Sequence, residues 1–138
     1  MELDELRAAV ADGSVDTVLV AVADMEGRLQ GKRLTAQHFL GEILENGSEG
    51  CSYLLTVDPD MTTVGGYEMT SWDKGYGDFE MTPDLATLRP VPWHEATVMV
   101  MADANWHGDD PVVASPRQIL KRQLDRLEER GLIANAAT

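Results

Sequence analysis

Basic residues are scarce in this sequence: eleven Lys and Arg stand against twenty-four Asp and Glu, a formal charge of −13. So acidic a chain repels phosphate backbones and anionic lipid, which argues against nucleic acid and membrane surfaces as partners. Cysteine occurs once, at Cys51, so no internal disulfide can form and nothing points to an oxidising compartment. Its extended-looking neighbours, Ser52 to Leu55, make it a buried and inert thiol. No apolar run approaches the roughly 18 residues of a membrane span. The start, M-E-L-D-E-L-R, lacks the basic region of a signal peptide, so the expected location is cytoplasmic. The three histidines, His38, His94 and His107, share no metal-ligand spacing and read as surface residues. A phosphate-cradling loop is missing too, since Gly65-Gly66 and Gly75-Tyr76-Gly77 have neither the spacing nor the following helix.

What is present is the composition of a folded domain, 43% hydrophobic with 25% charged residues. Leu3, Leu6, Ala9 and Val10 recur at helical spacing and Gly13 closes that helix. Thr17 to Ala23 and Arg28 to Leu34 read as two strands of a hairpin around Gly27. Thr35 caps a helix whose apolar face is Ala36, Phe39, Leu40, Ile43 and Leu44, with Gly47 as its stop. Cys51 to Val57 reads as a third strand, residues 58–66 as a loop, and Phe79 to Met81 and Ala96 to Ala102 as further strands, the latter buried on both faces. After the polar connection Gly108 to Pro111, the Ser115-Pro116-Arg117-Gln118 capping box predicts a helix to about Arg130, stopped by Gly131. Leu132 to Thr138 resumes an extended pattern. Strands with one covering helix give an α+β layer.

The stretch Ser71-Trp-Asp-Lys-Gly-Tyr-Gly-Asp-Phe-Glu-Met-Thr-Pro-Asp84 fits neither period in its first half and reads as a loop that exposes large rings. Two readings stand for it. The rings anchor the loop, or carboxylates at Asp73, Asp78 and Asp84 beside them receive a cation.

Several stretches in order carry a family resemblance: Val18 to Asp24 with Gly27 and Gly31-Lys32-Arg33; Ser71-Trp72 with Gly75 to Asp78; Pro83 to Pro90 with Trp93; and Asp103 followed by Pro111 and Ser115-Pro116-Arg117. From about Val15 onward the chain resembles the start of glutamine synthetase. The resemblance implies an N-terminal helix over 1–14, a β-grasp domain over 15–107, and over 108–138 a linker with the start of the catalytic domain. It implies an ATP-dependent ligase that joins glutamate to ammonia or an amine through γ-glutamyl phosphate, with ATP and Mg or Mn held by residues beyond this stretch. No catalytic residue and no metal ligand of the family falls within 1–138, so the chain alone is expected to be inactive. In such rings, hexamers or dodecamers, the β-grasp domain completes a neighbouring subunit's active site.

The same resemblance implies which residues would meet that site. Ammonia-using members carry an aspartate a few residues before the loop tryptophan. Counting back from Trp72 lands on Gly65-Gly66, with Glu68 the nearest acid, which leaves room for a larger amine, as in ligases of polyamines and other amines. Trp72 and Asp78 are the further candidates, Asp78 for the neighbour's loop. A rival reading from another class is a stand-alone β-grasp interaction module without catalysis.

Overall fold

A computed structural model describes residues 1–108 and 110–136. The expectations for Asp109 and for the last two positions of the C-terminal stretch lie outside the described residues. Helix α1 spans Leu3–Ala11. Strands β1 (Thr17–Ala23) and β2 (Leu29–Thr35) form the hairpin, in register from Thr17 opposite Thr35 to Ala23 opposite Leu29. Helix α2 follows as three continuous segments, Ala36–His38, Phe39–Ile43 and Leu44–Asn46, the middle one wound as a π-helix. The remaining elements are β3 (Ser48–Cys51), a 3₁₀ turn (Ser52–Leu55), β4 (Asp78–Pro90), β5 (Thr97–Asn105) and α3 (Pro116–Glu128).

The strands lie in the order β2-β1-β5-β4-β3. β1 and β5 are parallel and all other pairs antiparallel, so the sheet is mixed and the fold α+β as expected. Period-two alternation decides which residues meet the helices. Val18, Val20 and Val22 of β1, Phe79 and Met81 of β4, and Val98, Val100, Ala102 and Ala104 of β5 share one face. They form one core with Leu6 of α1 and Ala36, Phe39 and Ile43 of α2. The α2 helix starts as its sequence dictates, the Thr35 hydroxyl accepting from the His38 amide at 3.3 Å. At Gly31 the backbone of β1 lies so close that a Cβ would sit 1.9 Å from the Val20 carbonyl oxygen, so only glycine fits there.

Four expectations are corrected. The strand read over Cys51 to Val57 ends at Cys51, because polar bonds capture the next residue: the Ser52 amide donates to the Gly77 carbonyl at 2.8 Å and its hydroxyl to Thr70 at 3.1 Å. Cys51 itself is half-buried, not buried. The strand read at Phe79 to Met81 runs on to Pro90, Pro83 being accommodated just before an irregularity between Asp84 and Arg89. There the Thr87 hydroxyl accepts from the Met101 amide at 2.8 Å, replacing a missing ladder bond. Finally, the capping box at Ser115 does not form. Its carbonyl accepts the first helical bond, from Ile119 at 3.0 Å, but its buried hydroxyl reaches none of the first amides of α3.

Asp103 is out of phase with Ala102 and Ala104, which puts it on the opposite face of β5. Arg117 bonds it at 2.9 Å and also pairs with Asp84, while Lys121 pairs with Asp103. Helix α3 is thus held to the sheet through charges, and its apolar residues Ile119, Leu120 and Leu124 stay 41%, 58% and 40% exposed.

Candidate functional site

Between the 3₁₀ turn and β4 the chain runs through two local structures. Asp58 builds the first: its Oδ1 accepts from the amides of Asp60 and Thr62, both at 2.9 Å, and Val57 bridges to Thr63. Such Asx geometry is what aspartate before proline favours. The second is a tight return from Ser71 to Gly75, where Gly75 takes a positive φ of 81° and the Lys74 amide donates to the Ser71 hydroxyl at 3.2 Å. Its base is buried, for the Thr70 hydroxyl lies between the Ser52 hydroxyl and the Gly75 carbonyl.

The aromatic residues of this return assemble with one from the 3₁₀ turn. The Trp72 and Tyr76 rings meet edge to face at 5.1 Å, and Tyr76 meets Tyr53 in the same way at 6.4 Å. Perpendicular contacts at these distances suit the ring quadrupoles. The Trp72 indole donates to the Thr63 hydroxyl at 3.2 Å, which ties the two loop structures together. With Cys51 these residues line a cleft of about 250 Å³ that carries no carboxylate. Trp72 is 78% exposed at its mouth. Two of the three tyrosines and one of the three tryptophans therefore share one site.

The other candidates lie elsewhere. Gly65 and Gly66 are exposed with open space around them, and Gly66 has a φ of +93°, so conformation rather than crowding favours glycine there. Glu68 lines a separate cleft of about 440 Å³ with Met25, Leu55, Met69, Trp106 and Val112. Its carbonyl, not its carboxylate, receives the Lys74 ammonium, at 2.7 Å. Asp78 is exposed and lines a third cleft, about 300 Å³, with Lys32, Glu49 and Tyr53. Residues of both edge strands line that cleft, so the sheet curls until β2 and β3 approach. Asp84, read as a carboxylate beside the aromatics, is taken by Arg117. All three histidines are exposed. Among the described residues no three of His, Cys, Asp and Glu converge as a metal-binding group.

Sequence reasoning did not find Tyr53 or Thr63 as cleft residues, because a strand was expected at one and structureless loop at the other. The available signal was the Asp58-Pro59 turn, which returns Thr63 beside Val57.

Asp24, on the turn of the hairpin, is 1% exposed. Its Oδ1 accepts from the amides of Glu26 at 2.9 Å and Arg28 at 2.8 Å, its Oδ2 from the Arg28 guanidinium at 2.7 Å and Gln30 at 3.1 Å. Burial pushes this carboxyl up, and the bonds from Gln30, Arg28 and Glu26 outweigh it, so its pKa lies below the usual carboxylate range. A depressed folded-state pKa contributes stability above the unfolded value of about 3.9, and that contribution is lost as pH falls through the folded value. Asp24→Asn should therefore lower the urea midpoint at pH 7, with the gap from the parent chain narrowing below about pH 4. A gap constant from pH 7 to pH 3 would contradict this account.

No family model matches the chain. It is 58% identical over 136 residues to γ-glutamylethanolamide synthetase GlnA4 of Streptomyces coelicolor, covering 99% of this chain and 29% of that protein. It is 32% identical over 133 residues to a glutamate–isopropylamine ligase of a Pseudomonas species, covering 96% of this chain and 29% of the ligase. Among solved structures, GmaS in complex with ADP superposes with a TM-score of 0.69 at 21% identity, over 91% of this chain and 26% of that one. That likeness supports the fold. The chain thus spans less than a third of the length of the relatives it matches. Over nearly its whole length this chain is homologous to the glutamine synthetase-like ligases, and its fold is that of their N-terminal domain.

Proposed function

We propose that these residues are the amino-terminal part of an ATP-dependent ligase that joins the γ-carboxyl of glutamate to an organic amine, and that their aromatic cleft forms the amine side of a neighbouring subunit's active site. The observation that carries the reading is the 58% identity over 99% of the chain to a protein named for making a γ-glutamyl amide of ethanolamine. The cleft's chemistry agrees with it. A carboxylate would favour ammonium; a wall of Trp72, Tyr76 and Tyr53 offers ring faces and apolar area to a substituted amine. Gly65 and Gly66 place no side chain in the loop that precedes Trp72, and Glu68 stands outside the cleft. Asp78, exposed at the start of β4, is the acid offered to the neighbour's loop, within a hexameric or dodecameric ring.

On this reading 15–107 is the β-grasp domain and 108–138 leads into the catalytic domain, whose residues, beyond this chain, hold ATP and a divalent metal. ATP activates the γ-carboxylate, and the amine displaces phosphate. The contribution of residues 1–138 is to bind and orient the amine, and the location proposed for the protein is cytoplasmic.

The test is phosphate release by the longer protein with ATP, glutamate and either ethanolamine, isopropylamine or ammonium at equal concentration. An organic amine should be used at least about tenfold faster than ammonium. Trp72→Ala should lower kcat/KM for that amine about 30-fold, the equivalent of the roughly 2 kcal/mol of a desolvated cation–π contact. KM for glutamate should stay within about twofold. Preference for ammonium, or an equal loss with every amine, would sink the proposal.

A further inference from the structure

The buried Asp24, paired with the half-buried Arg28, and the exposed Trp72 lie on different loops, yet an unbroken run of bonds connects them. Arg28, held by Asp24, extends its other two nitrogens to the carbonyls of Pro59 at 2.7 Å and Asp58 at 3.0 Å. Asp58 in turn organises the turn that ends in Thr63, through its bonds to the Asp60 and Thr62 amides and the bridge from Val57. Thr63 receives the Trp72 indole. Gln30 adds a second tie, from Asp24 to the Met61 sulfur at 3.3 Å. Met61 takes a positive φ of 63°, a conformation a bulky side chain holds only when its surroundings enforce it.

We infer that Asp24 and Arg28 are a positioning pair that sets the orientation of Trp72, and through it the shape of the aromatic cleft. The inference rests on the amine-side reading of that cleft for its consequence in catalysis, but not for its geometry. Asp24 is buried and so fixed; the guanidinium fork carries that fixity across 30 residues of sequence to the Asp58 turn. A guanidinium suits the task because it serves one carboxylate and two carbonyls at once, which an ammonium on a flexible stem does not. An exposed ring held only by loop backbone would sample several rotamers, and a cleft with a moving wall binds its ligand less well.

The experiment reads the three indole N–H signals of this chain by NMR, with that of Trp72 identified through Trp72→Phe. Arg28→Lys keeps the charge opposite Asp24 and removes the fork; Asp24→Asn puts a donor where Arg28 and Gln30 already donate. Thr63→Val deletes the acceptor alone and serves if Asp24→Asn fails to fold. All three should make the Trp72 indole exchange with solvent about fivefold faster, the equivalent of one hydrogen bond of about 1 kcal/mol. Trp93, Trp106 and the control Arg33→Gln should show no change. In the longer ligase, Arg28→Lys should raise KM for the organic amine about tenfold, with KM for ATP and glutamate unmoved. If Thr63→Val accelerates exchange and Arg28→Lys does not, the positioning role is overturned. If Arg28→Lys accelerates exchange and the amine KM stays put, the positioning pair stands and the amine-side reading falls.

Discussion

Purified alone and supplied with ATP, glutamate, magnesium and ethanolamine, the 138-residue chain is expected to release no phosphate above background, while a longer protein containing the same residues turns over. Phosphoryl transfer is catalysed by positioning and by neutralising charge on the transferred group, chiefly through metal ions that bridge the phosphates and through basic side chains. A divalent ion needs several converging ligands, and the described residues bring together no three His, Cys, Asp or Glu as such a group. Three of the basic side chains are already paired with carboxylates: Arg28 with Asp24, Arg117 with Asp84 and Asp103, and Lys121 with Asp103. A formal charge of −13 adds long-range repulsion of the nucleotide. Phosphate release that follows the 138-residue chain through size-exclusion chromatography would overturn the division of labour proposed above.

Phe79→Ala should destabilise the fold by about 3–5 kcal/mol, most of the stability of a marginal domain, and lower the urea midpoint by roughly 2 M. The ring is fully buried and sits opposite Gly50 across the β3–β4 pair, where the missing side chain of Gly50 makes room for it. It packs in the one core that joins α1 and α2 to the sheet, so its loss leaves a cavity that strand backbones cannot close. Its position ties stability to the site. Asp78 precedes it and the aromatic loop ends there, so loosening Phe79 frees the base of the Trp72 return. Gly50→Ala, which would set a Cβ 3.2 Å from the ring, is the milder companion, and its cost should be well below that of Phe79→Ala. A loss under about 1 kcal/mol at Phe79 would mean that the core relaxes around the gap.

Much of the framework could be read from local pattern. The hairpin of β1 and β2, the Thr35 cap of α2, the span of α3 and the double burial of β5 all follow from periodicity, capping residues and β-branched runs, which act over a few neighbouring positions. Two of the failures share a cause. Ser52 leaves the strand because of Gly77 and Thr70, eighteen or more residues away, and Pro83 stays in one because β5 supplies its partner. In both, a distant contact outweighed a local preference worth on the order of 1 kcal/mol. The Ser115 hydroxyl is a different case, buried without any partner, and no contact in the structure explains its missing cap.

The site divides in the same way. Trp72 and Tyr76 stand out as rings in a glycine-rich loop, and the sequence by itself determined that they would be displayed, as it determined the acidic surface and the order of helices and strands. Only the tertiary structure decided who accompanies them. It brought Tyr53 and Thr63 into the cleft, put Glu68 and Asp78 in other clefts, gave Asp84 to Arg117, and linked Asp24 to Trp72 through Arg28 and the Asp58 turn. Propensity and pattern depend on neighbours along the chain, whereas the cleft depends on side chains that meet only after the sheet has curled and the loops have been tied across it.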